Sequence, residues 1–133
     1  MIKYGRERLK ECLPELQRVV ERASDIYEED ITIKCGYRGQ GDQETAIASG
    51  ASHAHFGQSP HNFHPALGVD VVPAETEYSD EDKLLLVAQA MLEAADELQI
   101  NITWGGVFPG SYGFKHPGDL PHFQLTDWIK MRG

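Results

Sequence analysis

Gly68-Val69-Asp70-Val71-Val72-Pro73, followed by Ser79-Asp80-Glu81-Asp82-Lys83-Leu84-Leu85-Leu86-Val87-Ala88-Gln89-Ala90-Met91-Leu92-Glu93-Ala94-Ala95-Asp96-Glu97-Leu98, sets a short apolar strand beside a long amphipathic helix. The first segment reads as a strand ended by Pro73, because proline cannot donate to a ladder. Ser79 with Asp82 resembles a capping box, and the acidic first turn suits the positive end of the helix dipole. Leu84, Ala88, Met91, Ala95 and Leu98 recur at helical spacing, with Leu85 and Leu92 widening the stripe. A helix striped on one side needs a sheet to cover it.

The rest of the chain supplies that sheet in short pieces. Residues 6–12 read as a helical turn, and Pro14 opens a helix whose apolar face is Leu16, Val19, Val20 and Ala23. Ile31-Thr32-Ile33-Lys34-Cys35 alternates with a period of two and reads as a strand. Residues 42–49 form a short helix in this reading, residues 100–104 and 121–125 two more strands, and residues 126–131 a tail helix. Residues 36–41, 50–60 and 105–118 are loops rich in glycine, proline and small polar residues. Strands and helices alternate, but the strands are few and one loop is long. That favours a small α+β domain over a doubly wound parallel sheet, with the 133 residues as one domain.

Charge and composition exclude several classes of function. The formal net charge is −9, so the chain lacks the clustered basic face of a nucleic-acid binder and gains no attraction to anionic surfaces. No apolar run approaches the roughly 20 residues that cross a bilayer. The start Met1-Ile2-Lys3-Tyr4-Gly5-Arg6-Glu7-Arg8 carries charges where a secretory signal needs its apolar core, so synthesis is expected in the cytoplasm. Cys12 and Cys35 read as reduced buried thiols, neither with the local pairing of a thiolate zinc site. Nothing demands more than a monomer.

The chemistry concentrates in two places. Ser59-Pro60-His61-Asn62-Phe63-His64-Pro65 leads into the strand that holds Asp70, and Asp119-Leu120-Pro121-His122-Phe123-Gln124-Leu125 offers a histidine with a carboxylate three residues before it. Asp70 lies between Val69, Val71 and Val72, where an ionised carboxylate needs a partner. A metal ion would serve, and so would an arginine. Two imidazoles and a carboxylate suit a zinc ion that keeps one position for water. On spacing alone all six histidines (His53, His55, His61, His64, His116 and His122) remain candidates, most histidines being surface or core residues.

Ser59 and His61 with Asp70, and then Asp119 through Leu125, resemble the zinc-dependent D-alanyl-D-alanine carboxypeptidase and endolysin peptidase family. Its fold is shared by VanX- and VanY-type peptidases and by the Hedgehog signalling domain. Within it, the chain looks most like the phage L-alanyl-D-glutamate endopeptidases. The likeness takes in the helix from Pro14, the strand leading to Gly36-Tyr37-Arg38, and Trp104-Gly105-Gly106. It implies a short, mainly antiparallel sheet packed by helices. It also implies zinc on His61, Asp70 and His122, Asp119 as the proton shuttle, and Arg38 as the oxyanion stabiliser. Gln43 and Ser59 fall where supporting or substrate-binding polar residues are placed. Trp104 reads as lining or buttressing the cleft, with core packing an equal alternative. His64, three residues from His61, is a competing ligand of lower rank.

The implied function is hydrolysis of an amide bond in the peptidoglycan stem peptide, L-Ala–D-Glu first among the choices. Action on the cell wall would then follow a holin-type release through the membrane. Two rivals stand beside it: a D,D- or L,D-carboxypeptidase releasing terminal D-alanine, and a non-catalytic zinc-containing binding module of the same fold. Asp119 beside an intact ligand set argues against the module, since a purely structural zinc closes its fourth position.

Overall fold

The alternating segments pair into one sheet. The computed structural model describes residues 1–50, 56–107 and 119–131, and among these the strands are β1 (Ile2–Tyr4), β2 (Ile31–Cys35), β3 (Gly68–Pro73), β4 (Ile102–Trp104) and β5 (His122–Leu125). Their order across the sheet is β1-β2-β3-β5-β4. Only the β1–β2 pair is parallel; the three other pairings are antiparallel. The helices are α1 (Arg6–Leu9), α2 (Pro14–Ile26), α3 (Gln40–Ala48), α4 (Glu81–Leu98) and α5 (Trp128–Met131). The expected α+β architecture with a mainly antiparallel sheet is therefore present.

Period-two alternation divides the sheet into two faces. Ile31 and Ile33 of β2, Val69 and Val71 of β3, and Phe123 and Leu125 of β5 join one apolar cluster with Leu16, Val19 and Val20 of α2 and Met91 of α4. Each such side chain contributes about 1.5–3 kcal/mol by leaving water. Asp70, His122 and Gln124 alternate with these residues and point the other way.

Several local expectations shift. The cap of α4 is Asp80, whose carboxylate accepts from the Lys83 N–H at 3.1 Å, and Ser79 instead donates to the Thr76 carbonyl. Leu85 and Leu92 do not widen the buried stripe; they are 41% and 40% exposed. Val87, Ala90 and Ala94 take that place, because at 100° per residue the leucines fall off the edge of the covered face. The helical turn over residues 6–12 stops at Leu9, and Cys12 instead pairs with Ala66 in an isolated parallel bridge. The strands expected over 100–104 and 121–125 are shorter, and β1 carries no signal in three residues. Both cysteines are free, Cys12 buried as expected and Cys35 only half-buried.

Candidate metal centre

His61 is positioned by a short turn that its own sequence caps. Ser59 precedes the 3₁₀ turn Pro60–Asn62, and its hydroxyl accepts from the His61 N–H at 3.2 Å. Asn62 returns the favour, its side-chain oxygen accepting from the N–H groups of Ser59 and Gly57. The Asn62 amide donates to the Arg38 carbonyl and to Gln43 Oε1, both at 3.0 Å. Gln43 is completely buried, so it supports the turn from behind. The Arg38 N–H donates to the His61 carbonyl at 2.7 Å, which ties the Tyr37–Arg38 loop to the same turn.

Asp70 and His122 come from paired strands. They face each other across β3 and β5, so their side chains stand on the same face of the sheet. His61 Nε2 lies 3.2 Å from Asp70 Oδ1 and 3.1 Å from His122 Nδ1, and His122 Nδ1 lies 3.0 Å from Asp70 Oδ1. Ligand atoms around a tetrahedral zinc with bonds of about 2.0 Å stand roughly 3.3 Å apart, so the triangle matches one face of such a shell. The far ring nitrogens are consistent with such a face. His61 Nδ1 lies 2.8 Å from the Gly36 carbonyl, and His122 Nε2 lies 2.8 Å from Gln124 Oε1. A carbonyl there requires the N–H on His61 Nδ1, and the Gln124 oxygen favours it on His122 Nε2. In the neutral rings the lone pairs then converge with a carboxylate, an arrangement that calls for a cation.

With no metal bound, the Asp70 charge draws positive charge to the same point. Burial resists a charge on His61, yet the Asp70 carboxylate outweighs it and holds the imidazole pKa above its ordinary value. Burial likewise opposes the Asp70 charge, and the positive field and hydrogen bonds of His61 and His122 overcome it, holding Asp70 well below the usual carboxylate range.

Asp119 stands next to this triangle. Its carboxylate oxygen, an Asp70 oxygen and a His122 nitrogen lie within 4.8 Å of one another. The residue is open to solvent on its outer side. Loss of water around the carboxyl, and then the Asp70 charge, raise its pKa against the opposing pull of His122, His61 and Arg38. Gly105 fixes its backbone: the Asp119 N–H donates to the Gly105 carbonyl at 2.9 Å. A Cβ on Gly105 would collide with the Asp119 carbonyl oxygen and sit 3.0 Å from the Cβ atoms of Asp119 and His122. The Trp104 indole N–H donates to the Leu120 carbonyl at 2.7 Å, bracing the same turn from β4.

Among the described residues, the backbones of those singled out for the site, His64 excepted, therefore gather in one region. His64 is exposed, its ring edge-on to Tyr37 at 5.4 Å, and it belongs to no cluster of possible metal ligands among the described residues. His53, His55 and His116 lie outside the described residues. Sequence reading passed over Asn62, the Gly36 carbonyl and the role of Gln124. The alternation that puts Gln124 on the His122 face was the available signal.

Two imidazoles and a carboxylate on an open sheet face, with a separate carboxylate beside them, are the donor set that a mononuclear metal hydrolase uses. Over residues 1–125 the chain matches the phage L-alanyl-D-glutamate peptidase family, and it belongs to that family. It is thus a peptidase directed at the peptidoglycan stem peptide. The crystal structure of the Serratia marcescens L-Ala D-Glu endopeptidase ChiX is similar at 27% identity and a TM-score of 0.78, covering 98% of this chain and 95% of that one. A mutant of the vancomycin resistance D,D-pentapeptidase VanY, from a VanB-type cassette and in complex with Zn(II), shares the fold at 13% identity and a TM-score of 0.53, covering 94% of this chain and 76% of that one. No curated protein matches the chain.

Proposed function

We propose that the protein is a zinc endopeptidase that cuts the L-alanyl–D-glutamate amide of the peptidoglycan stem peptide, with His61, Asp70 and His122 holding the metal. The observation that carries this reading is the convergence of His61 Nε2, Asp70 Oδ1 and His122 Nδ1 at 3.0–3.2 Å, with the Asp119 carboxylate beside them. Nitrogen and oxygen donors in a set of three suit zinc, which when bound there polarises a carbonyl and lowers the pKa of a water to about 7.

The chain's own groups do the remaining work. Asp119 takes the proton of the attacking water and later delivers it to the departing amine, a role open to a carboxylate that stands beside the ligands without being one of them. Arg38, tied by its backbone to the His61 turn, carries its positive charge within electrostatic reach of the Asp119 carboxyl. As the carbonyl oxygen becomes negative, a fixed guanidinium lowers the barrier. Ser59, Asn62 and Gln43 hold the turn that carries His61, the Gly36 carbonyl orients its ring, and Trp104 holds the turn that carries Asp119. Peptidoglycan is the partner, and a monomer suffices for every role.

Mass spectrometry of purified peptidoglycan digested by the zinc-loaded protein tests this. New amino groups on D-glutamate are expected. Released D-alanine would instead make the protein a carboxypeptidase, and an intact L-Ala–D-Glu bond with zinc bound would overturn the proposed specificity.

A further inference from the structure

The metal face of the sheet holds a residue to which the proposed mechanism gives no part. Cys35 ends β2 and pairs directly with Asp70 of β3, as His122 does from β5 on the other side. Cys35, Asp70 and His122 therefore form a row across three neighbouring strands, with His61 lying over it. This placement depends on an irregularity: the β2–β3 register slips by one residue between Ile33 and Cys35. Without it Lys34 would stand opposite Asp70; such bulges re-aim side chains. The Cys35 sulfur, a ring nitrogen of His61 and an oxygen of Asp70 lie within 4.8 Å of one another.

The two cysteines differ in availability. Cys12 is buried, with its sulfur 3.8 Å from the Arg8 carbonyl and 3.9 Å from that of Gly68, and burial pushes its thiol up to about 12. Cys35 is half-buried, and among the described residues its sulfur lies 3.7 Å from the neighbouring Gly36 carbonyl and hydrogen-bonds to the His61 ring. Thiolate is a strong zinc donor, with bonds of about 2.3 Å.

We propose that Cys35 is a fourth, displaceable protein ligand of this metal site, an inference that rests on the three-ligand reading above. On binding, the thiol proton passes to solvent, a sulfur–metal bond forms and one water leaves the metal. The reverse exchange opens the position for catalysis. With sulfur in place the site is closed and holds its metal more tightly.

Cobalt(II) in place of zinc reports directly on sulfur. The wild-type protein, loaded with one equivalent, should show a near-ultraviolet thiolate-to-cobalt charge-transfer band that Cys35→Ser loses while still binding cobalt. In the wild type, zinc should also slow modification of Cys35 by a thiol reagent by about tenfold or more, with Cys12 unreactive throughout. Loss of the thiolate should weaken metal binding roughly 10-fold, the low end of what metal-site support contributes. One equivalent of bound cobalt without the band, a band that survives in Cys35→Ser, or equal thiol reactivity with and without zinc overturns the Cys35 assignment and leaves the three-ligand site standing. Failure to bind cobalt at all overturns both.

Discussion

The two faces of the sheet are built from the same strands and differ in almost everything else. On the helix side Ile33, Val71 and Phe123 are fully buried in a continuous apolar cluster. On the other side, their neighbours are polar: His122 is buried and Asp70 half-buried, held by hydrogen bonds to one another and to His61. Adjacent residues in one strand thus serve opposite ends: Phe123 packs the core and His122 belongs to the proposed metal site. The apolar face tolerates approximate placement, since burial is non-directional. The polar face works only if three atoms meet within a few tenths of an ångström, and the rigid packing on the other side provides that precision.

Substitutions at neighbouring positions test this division. His122→Ala should lose zinc and reduce peptidoglycan hydrolysis by on the order of 10³-fold or more while the metal-free protein still folds; metal analysis with circular dichroism checks both halves. If His122→Ala unfolds the protein, the two faces are not separable. Asp119→Ala should retain one zinc and lose roughly 100- to 10,000-fold in rate, a split that marks a proton shuttle and not a ligand. Phe123→Ala should cost about 3–5 kcal/mol in denaturant unfolding, while the fraction that remains folded still binds metal.

Gln124→Leu leaves the apolar face alone and removes the acceptor opposite His122 Nε2. Zinc affinity should fall roughly 10- to 100-fold, read by competition with a chelator. An unchanged affinity would show that the backbone alone orients His122. The smallest effect belongs to α4. Leu85→Gln, on its exposed side, should change stability by no more than about 0.5 kcal/mol, whereas Met91→Ala, fully buried, should cost about 2–5 kcal/mol.

Legibility in the sequence followed the same division. The apolar faces of α2 and α4 and the strands Ile31–Cys35 and Gly68–Pro73 could be read because burial imposes a period that repeats over many residues. Errors fell where a single contact decides: the Asp80 cap displaced the expected Ser79, and the exposed leucines sat just off the stripe. The strand β1, three residues long and paired in parallel with β2, is too short to show a period.

By itself the sequence determined that an α+β domain would present His61, Asp70, Asp119 and His122 on segments flanked by apolar strands, and a family resemblance singled these four out. It could not place Gln43 behind the His61 turn, exclude His64, reveal Gln124 as the partner of His122, or bring Cys35 opposite Asp70. Those are outcomes of strand register and a one-residue slip between β2 and β3. Register is set by pairing between segments dozens of residues apart, and a shift of one residue reverses which side chains face the metal. Periodicity is a local property of the chain, whereas a ligand set is a meeting of distant residues, and only the folded sheet arranges it.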